Sequence, residues 1–328
     1  MLLDVIVPTK NCEKTIETCL RSLKDQTVQV RIIVVDGCST DNTRLIASKY
    51  TPHVYFEPKT NGKGSKRAVA CNEGLRRSTS PFIGFIDSDV EVPRDWAETL
   101  LKALRNDITA IGVTSGCGGW DGDKKGFSYA VSRVMTIGSD SHGKQFKKKR
   151  NIKSIQGYNA IYRREYLDEV GKFNEKIGGC EDWELNYRLR KAGWNLIGIP
   201  EASVKHRHKV TPKSFAKQMF GYGWSRGRLL KVRHIFTPTH MVPSLALISL
   251  VILGILYPPT TFSFLTSVFR SPQSWFEKTI EAYLFFIGLL SFTLISKEFT
   301  PKLWFQVFGA FIIQHLSWAV GYLYGLLF

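Results

Sequence analysis

Strand-like and helix-like patterns alternate through the first part of the chain, which predicts an α/β fold with a parallel sheet covered by helices on both faces. Two further observations complete the forecast. Residues 82–86 (FIGFI) are wholly apolar and stop at Asp87, Ser88 and Asp89, as a buried parallel strand does when it opens on a ligand cleft. From residue 241 onward charge is sparse and apolar residues dominate, which predicts a C-terminal transmembrane region behind the α/β domain.

Each element follows from its own residues. Residues 5–7 (VIV) read as the first strand, and residues 14–26 place Ile16, Leu20 and Leu23 at helical spacing. Residues 31–35 form a second strand and 41–50 a second helix, with Ser39 or Thr40 as its cap. Residues 54–56, 66–77 and 82–86 continue as strand, helix and strand, and 96–104 and 110–114 add another helix and strand. The Gly- and Asp-rich stretch 116–126 and the basic stretch 144–153, with six Lys and Arg in ten residues, read as loops. Order resumes at 157–162 and in a helix over 182–192 that stops at Gly193, and 195–199 follows as a strand. Ligands in such sheets bind at the carboxyl ends of strands, so Thr9, Asp36 and Asp87 should converge on one cleft.

The tail is a different material. Asp, Glu, Lys and Arg are absent over 18 residues at 240–257, over 15 at 282–296 and over 26 at 303–328. A crossing needs about 17–25 residues, so the first and third stretches predict spans, while the second is short enough for an interfacial or re-entrant element. Nine Lys and Arg lie between Lys205 and Arg233, against Arg270 and Lys278 alone in the following loop, which places the α/β domain in the cytoplasm. The N-terminal MLLDVIVP lacks the flank and length of a signal peptide and reads as the first strand. Residues 213–233 mix basic residues with Phe215, Met219, Phe220, Tyr222 and Trp224 and suit a membrane surface. Gly221, Gly223 and Gly227 argue against one continuous helix there.

A formal charge of +17 invites a nucleic-acid partner, but no segment interleaves basic and aromatic residues as nucleic-acid readers do. An anionic membrane surface and a phosphate-bearing substrate suit the same charge. The six cysteines all precede residue 181 and show no paired metal-binding spacing, which predicts a reducing compartment, no disulfide framework and no zinc site. Alternation along the strand turns Asp87 and Asp89 to one side, where two carboxylates need a proton or a cation. Mg²⁺ or Mn²⁺ fits, with room for substrate phosphates; the alternative is a solvated turn.

Several blocks now stand in order: Val5-Ile6-Val7-Pro8-Thr9-Lys10-Asn11, Ile33-Val34-Val35-Asp36-Gly37-Cys38-Ser39, Ala70-Cys71-Asn72-Glu73-Gly74-Leu75, Phe85-Ile86-Asp87-Ser88-Asp89 and Glu181-Asp182-Trp183-Glu184-Leu185. Together they resemble family 2 glycosyltransferases, whose catalytic domain has the GT-A fold, a Rossmann-like nucleotide-sugar-binding arrangement. The resemblance covers residues 1–210, leaving 211–236 as a basic membrane-proximal segment and 237–328 as a transmembrane region of two to three helices. It implies an inverting, metal-dependent hexosyltransferase using Mg²⁺ or Mn²⁺, and the apolar tail with its basic flank makes this a multi-pass enzyme of the cell membrane with its catalytic domain in the cytoplasm. Such an enzyme moves one sugar from a UDP-, GDP- or dTDP-linked donor to a hydroxyl of a lipid-linked or membrane-proximal glycan.

The resemblance also implies roles. Asp36 should contact base or ribose, with Pro8 and Thr9 lining the same pocket. Asp89 should bind the metal that bridges the diphosphate, and Asp87 the ribose or the metal. Arg67 stands where relatives carry a phosphate-holding basic residue. Asp182 matches the family's general base, with Glu181 in support; both residues also suit a helix N-terminus. His206 or His208 could complete the metal shell, a surface histidine being the alternative. Gly37 departs from the family, since many relatives have a second aspartate there, and this leaves base recognition open. No Gln-x-x-Arg-Trp block follows the base, which argues for transfer of a single sugar. Two other functions are compatible: a polyprenyl-phosphate (dolichyl-phosphate) hexose synthase, and a non-catalytic nucleotide-sugar-binding scaffold. A scaffold needs none of Asp36, Asp87, Asp89 and Asp182.

Overall fold

The computed structural model describes residues 3–58, 66–119, 126–135, 148–207, 211–235, 238, 241–246, 248–249 and 272–328. The chain divides into two compact units, Met1–Gly122 with Met135–His208, and Asp123–Val134 with Lys209–Phe328. The strands are β1 (Leu3–Thr9), β2 (Arg31–Asp36), β3 (Val54–Phe56), β4 (Phe82–Ile86), β5 (Val90–Glu91), β6 (Ala110–Gly119), β7 (Arg150–Asn151), β8 (Asn159–Arg163) and β9 (Asn195–His206). The helices of this part of the chain are α1 (Ile16–Lys24), α2 (Thr43–Ser48), α3 (Lys66–Arg77), α4 (Trp96–Arg105), α5 (Phe127–Met135), α6 (Arg164–Glu169) and α7 (Glu181–Lys191).

The first unit is built on one sheet in the order β3-β2-β1-β4-β8-β6-β9-β5, with β7 paired to β9. Its strands are apolar on both faces because both faces are covered. Val5 and Val7 pack with Ile16, Leu20, Trp96 and Leu100 on one side. Ile6, Ile33 and Phe85 pack with Cys71, Leu75 and Leu185 on the other. The sheet is mixed rather than parallel. The four strands β3-β2-β1-β4 run parallel, but β8 enters between β4 and β6 antiparallel to both, pairing Asn159 with Ile86 and Arg163 with Phe82. The register gives the reason: β8 starts level with the carboxyl end of β4, so it must run back through the sheet. Two strands outrun their expected limits. β6 continues to Gly119 and β9 to His206, with irregularities between Ala110 and Gly112 and between Ser115 and Cys117. The basic stretch also contributes β7, so residues 150–151 are strand and not loop.

The second unit contains α5, α8 (Pro212–Arg233), α9 (Pro272–Ile295) and α10 (Pro301–Leu327). Both α8 and α10 begin with a Thr-Pro pair: the Thr211 and Thr300 hydroxyls accept the N–H groups of Ser214 and Leu303, and proline fills the first turn. The three glycines do not interrupt α8, which is a single helix of 22 residues. Two of them lie where α10 comes closest. A Cβ at Gly223 would sit 2.2 Å from the Trp318 carbonyl oxygen, and one at Gly227 2.1 Å from that of Tyr322. The fit is reciprocal, since Gly321 and Gly325 meet the carbonyls of Phe220 and Trp224 at 2.2 and 2.1 Å. Two small-xxx-small pairs therefore interlock backbone to backbone, as membrane helices often do. Contact positions rise together along both helices, so α8 and α10 run in the same direction.

This interlock carries an expected result. Gly325→Ala should lower the melting temperature of the detergent-purified chain, because overpacking costs about 1–3 kcal/mol. Gly221→Ala, where nothing lies within 4 Å, should leave it unchanged or raise it. Equal behaviour of the two variants would mean the helices do not meet as described.

The stretches 278–298 and 301–327 are each long and apolar enough to cross a membrane. The second predicted span therefore has 21 residues available, more than the uncharged count suggested. Phe285, Phe286, Leu289 and Phe305 are exposed, an apolar surface that suits lipid. The first predicted span, 240–257, lies mostly outside the described residues; its start is helical at 241–246 and 248–249. Within this unit α5 packs Phe127 edge-on against Phe215, with ring centroids 6.1 Å apart. Tyr129 donates to the Glu298 carboxylate and Arg133 pairs with it at 3.6 Å. Burial, then Glu298, pushes the Tyr129 phenol up to about 12.

Candidate active site

The carboxyl ends of β1, β2 and β4 lie side by side, with Thr9 paired to Asp36 in register. Asp36 is fully buried and shapes the loop after β2: its carboxylate accepts the Ser39 N–H at 3.0 Å and the Ser39 hydroxyl. Ser39 in turn accepts the Asn11 N–H at 2.8 Å, and Asn11 accepts the Thr40 N–H at 2.9 Å. Ser39 and Thr40 thus stitch two loops together rather than cap a helix. α2 begins later, at Thr43, whose N–H goes to Asp41 at 3.1 Å. Pro8 is half-buried, and the buried Thr9 hydroxyl meets the Cys12 sulfur. Asn11 and Cys38 hold left-handed backbone at φ 49° and 58°, strain of the kind stored at functional loops.

Asp87 and Asp89 are not on a strand. β4 ends at Ile86, and a turn closes with the Val90 N–H on the Asp87 carbonyl at 3.1 Å, so strand alternation does not govern the pair. Each carboxylate has its own partner. Asp87 accepts two N–H groups from Arg67, at 2.8 and 3.2 Å. Asp89 Oδ1 lies 3.2 Å from His206 Nε2. His206 is the last residue of β9 rather than a residue beyond it, because β5 extends the sheet and pairs Val90 with His206. Tyr158 holds the imidazole from the side, ring to ring at 4.5 Å. His208 lies outside the described residues.

Arg67 joins the two halves of the site. Besides Asp87, it donates to the Gly157 carbonyl at 2.7 Å and to Glu181 at 3.4 Å. Burial alone would depress this guanidinium, but Asp87 and the other acidic groups win and hold it well above its ordinary value. The Cys71 thiol beside it is pushed up to about 12, by burial first. From the same Gly157, the N–H donates to Asp182 at 3.1 Å, and the Trp183 N–H reaches the other carboxylate oxygen at 2.7 Å. A continuous chain of contacts therefore runs Asp87–Arg67–Gly157–Asp182. α7 starts after Cys180, left-handed at φ 55°, and its first turn carries Glu181, Asp182 and Glu184, charges that suit a helix N-terminus.

Sequence reading missed Gly157 as the hinge of this network and Tyr158 as the support of His206; both sit in the block at 157–162. Asn72 and Glu73, by contrast, serve the fold. Asn72 bonds the Phe173 backbone, and Glu73 pairs with Arg76 and Arg77. Among the described residues no three His, Cys, Asp or Glu converge as a closed metal cage. Asp89 and His206 nevertheless offer a hard oxygen and an imidazole nitrogen 3.2 Å apart. That donor set suits Mn²⁺ sharing its remaining positions with phosphate oxygens and water.

An acidic cluster at the strand ends of a Rossmann-like sheet is the arrangement of a transferase acting on nucleotide-activated substrates. The glycosyl transferase family 2 model matches residues 4–171, and the chain belongs to that family. It is a glycosyltransferase that takes its sugar from a nucleotide-sugar donor, on a GT-A-like fold with a C-terminal apolar helical region. The succinoglycan biosynthesis protein ExoA of Rhizobium meliloti is 27% identical over 250 residues, 73% of each chain. The O-antigen chain rhamnosyltransferase WbaN of Salmonella anatum is 29% identical over 67% of this chain and 70% of its own. The pre-mycofactocin glycosyltransferase of Mycobacterium tuberculosis is 26% identical over 70% of this chain, which spans only 47% of that relative. A mannosyltransferase from Pyrobaculum calidifontis, solved with GDP-Man and Mn²⁺, shares the fold at a TM-score of 0.63 and 20% identity, over 98% of this chain and 86% of its own.

Proposed function

We propose that this enzyme transfers one sugar, with inversion, to a hydroxyl of a lipid-linked or membrane-proximal glycan at the cytoplasmic face of the cell membrane. The observation that carries the reading is the Arg67–Gly157 link, which ties Asp182 to the donor-side Asp87 through three successive hydrogen bonds. A sugar hydroxyl is a poor nucleophile at neutral pH. Asp182, fixed by two N–H donors, takes its proton as the oxygen attacks the anomeric carbon from the face opposite the diphosphate. The bond to the diphosphate breaks and the new glycosidic bond forms with inverted configuration.

Asp36, Pro8 and Thr9 shape the pocket for the nucleoside. Arg67 holds Asp87 and Glu181 in place, and Asp87 meets the ribose. Asp89 and His206 hold the divalent cation, which when bound neutralises charge on the departing diphosphate. Residues 1–210 form the catalytic domain, 211–236 the membrane-proximal segment and 237–328 the multi-pass anchor. The family, the apolar α9 and α10 and the basic flank before them support this placement. Two relatives named for succinoglycan biosynthesis and for an O-antigen chain support a glycan acceptor.

Sided membrane vesicles test the reading. Inverted vesicles carrying the full chain should transfer label from externally supplied donor to a lipid-linked saccharide, and right-side-out vesicles should not. Transfer confined to right-side-out vesicles would reverse the orientation. Direct glycosylation of a polyprenyl monophosphate would favour the synthase reading, since that acceptor is already anionic.

A further inference from the structure

Parallel register sets three residues in one row at the carboxyl edge of the sheet. Thr9 pairs with Asp36, and Asp36 with Phe56, so Lys10, Gly37 and Glu57 follow side by side just past β1, β2 and β3. Backbone bonds continue the row: the Gly37 N–H donates to Thr9 and the Glu57 N–H to Asp36, each at 2.8 Å. The middle residue has no side chain. A Cβ at Gly37 would lie 3.0 Å from Glu57 Oε2 and 3.4 Å from Lys10 Cδ. The row is therefore a slot: its floor is the Gly37 backbone, one wall is the Lys10 stem, and the other is a carboxylate.

Glu57 is half-buried, and no hydrogen bond or ion pair engages its carboxylate among the described residues. Burial raises its affinity for a proton, while Lys66 and Lys10 pull it back. A carboxylate offers acceptors only. It matches a base edge that carries two adjacent donors, as guanine does with N1–H and its 2-amino group. Uracil and thymine present a single N–H between two carbonyls, which would face the carboxylate with repulsion.

We propose that Glu57 reads the donor's nucleobase in the slot over Gly37 and selects guanine, so the donor is a GDP-sugar. This rests on the placement of the nucleoside at the β1–β2 strand ends given above. The glycine in place of a second aspartate then has a purpose. It opens the slot, and Glu57 from the neighbouring strand end supplies the carboxylate instead.

The test uses the full chain in detergent with Mn²⁺, titrated calorimetrically with GDP, UDP and dTDP. GDP should bind at least about tenfold tighter than the pyrimidine nucleotides, since sites built around polar groups reject a ligand that leaves them unpaired. Glu57→Gln should weaken GDP about 10–100-fold, as loss of a charge-assisted bond does, and leave UDP unchanged. Gly37→Ala should weaken GDP as well by narrowing the slot, with the unliganded melting temperature of both variants near wild type. A wild-type preference for UDP or dTDP would overturn the base reading and leave the glycosyltransferase intact. Equal weakening of all three nucleotides by Glu57→Gln would overturn it too, because that pattern marks a ribose contact. A chain that binds none of the three would overturn the placement of the donor site itself.

Discussion

Asp182→Asn is expected to lower the turnover rate by at least about two orders of magnitude while leaving donor affinity nearly unchanged. Positioned proton abstraction contributes about 10²–10⁴-fold, and an amide cannot supply it. The substitution keeps shape, so α7 and its first turn should survive. One acceptor is lost opposite two N–H donors, from Gly157 and Trp183, which costs about 1 kcal/mol of stability. Donor affinity should hold because Asp182 meets the acceptor, and a drop in rate without a change in binding marks an interaction made chiefly in the transition state. Single-turnover transfer measured beside donor titration separates the two quantities. Retention of most of the turnover would mean that the acceptor needs no base.

Asp89→Ala should abolish Mn²⁺-dependent binding of the nucleoside diphosphate and, with it, transfer. It removes one of the two protein donors that face each other, the carboxylate opposite the His206 imidazole. The fold should tolerate the change, since Asp89 lies in a turn with its side chain about 30% exposed and its backbone carbonyl still free to accept the Arg207 N–H. Thermal stabilisation by nucleoside diphosphate, with and without chelator, reads the effect without requiring turnover. Equal stabilisation of wild type and variant in the presence of Mn²⁺ would remove Asp89 from the metal site.

The strands that carry the donor half of the site were legible because they are buried on both faces and read as short apolar runs ending in polar residues. Val5–Val7 and Phe82–Ile86 are of that kind, and the helix bearing Asp182 was legible from its acidic start and Gly193 stop. Three things were not. The direction of β8 depends on which edge of the sheet the chain re-enters, and no local pattern encodes that. The extension of β9 to His206 arises from pairing with the far end of β6 on one side and on the other with β5, a two-residue strand too short to show a period. The continuity of α8 was hidden because helix propensity counts glycine only as a cost. Gly223 and Gly227 gain from the backbone of α10 what they lose in propensity, a tertiary effect across nearly a hundred residues. Asp87 and Asp89 lie just past the end of β4, in a turn where strand alternation no longer applies, and each carboxylate has a different partner, Arg67 and His206.

The anomeric configuration of the product tests the central claim most directly. Base-assisted attack by a hydroxyl opposite the diphosphate breaks and makes one bond each in a single displacement, so an α-linked donor must yield a β-linked product. Purified full-length enzyme, its donor, Mn²⁺ and a saccharide acceptor suffice, with the anomeric proton coupling of the product read by NMR. Inversion is the expected result, and it should disappear together with activity in Asp182→Asn. A product of retained configuration would contradict the account, because it would require a second displacement at the anomeric carbon or attack from the diphosphate side, and Asp182 would have no role as base in either.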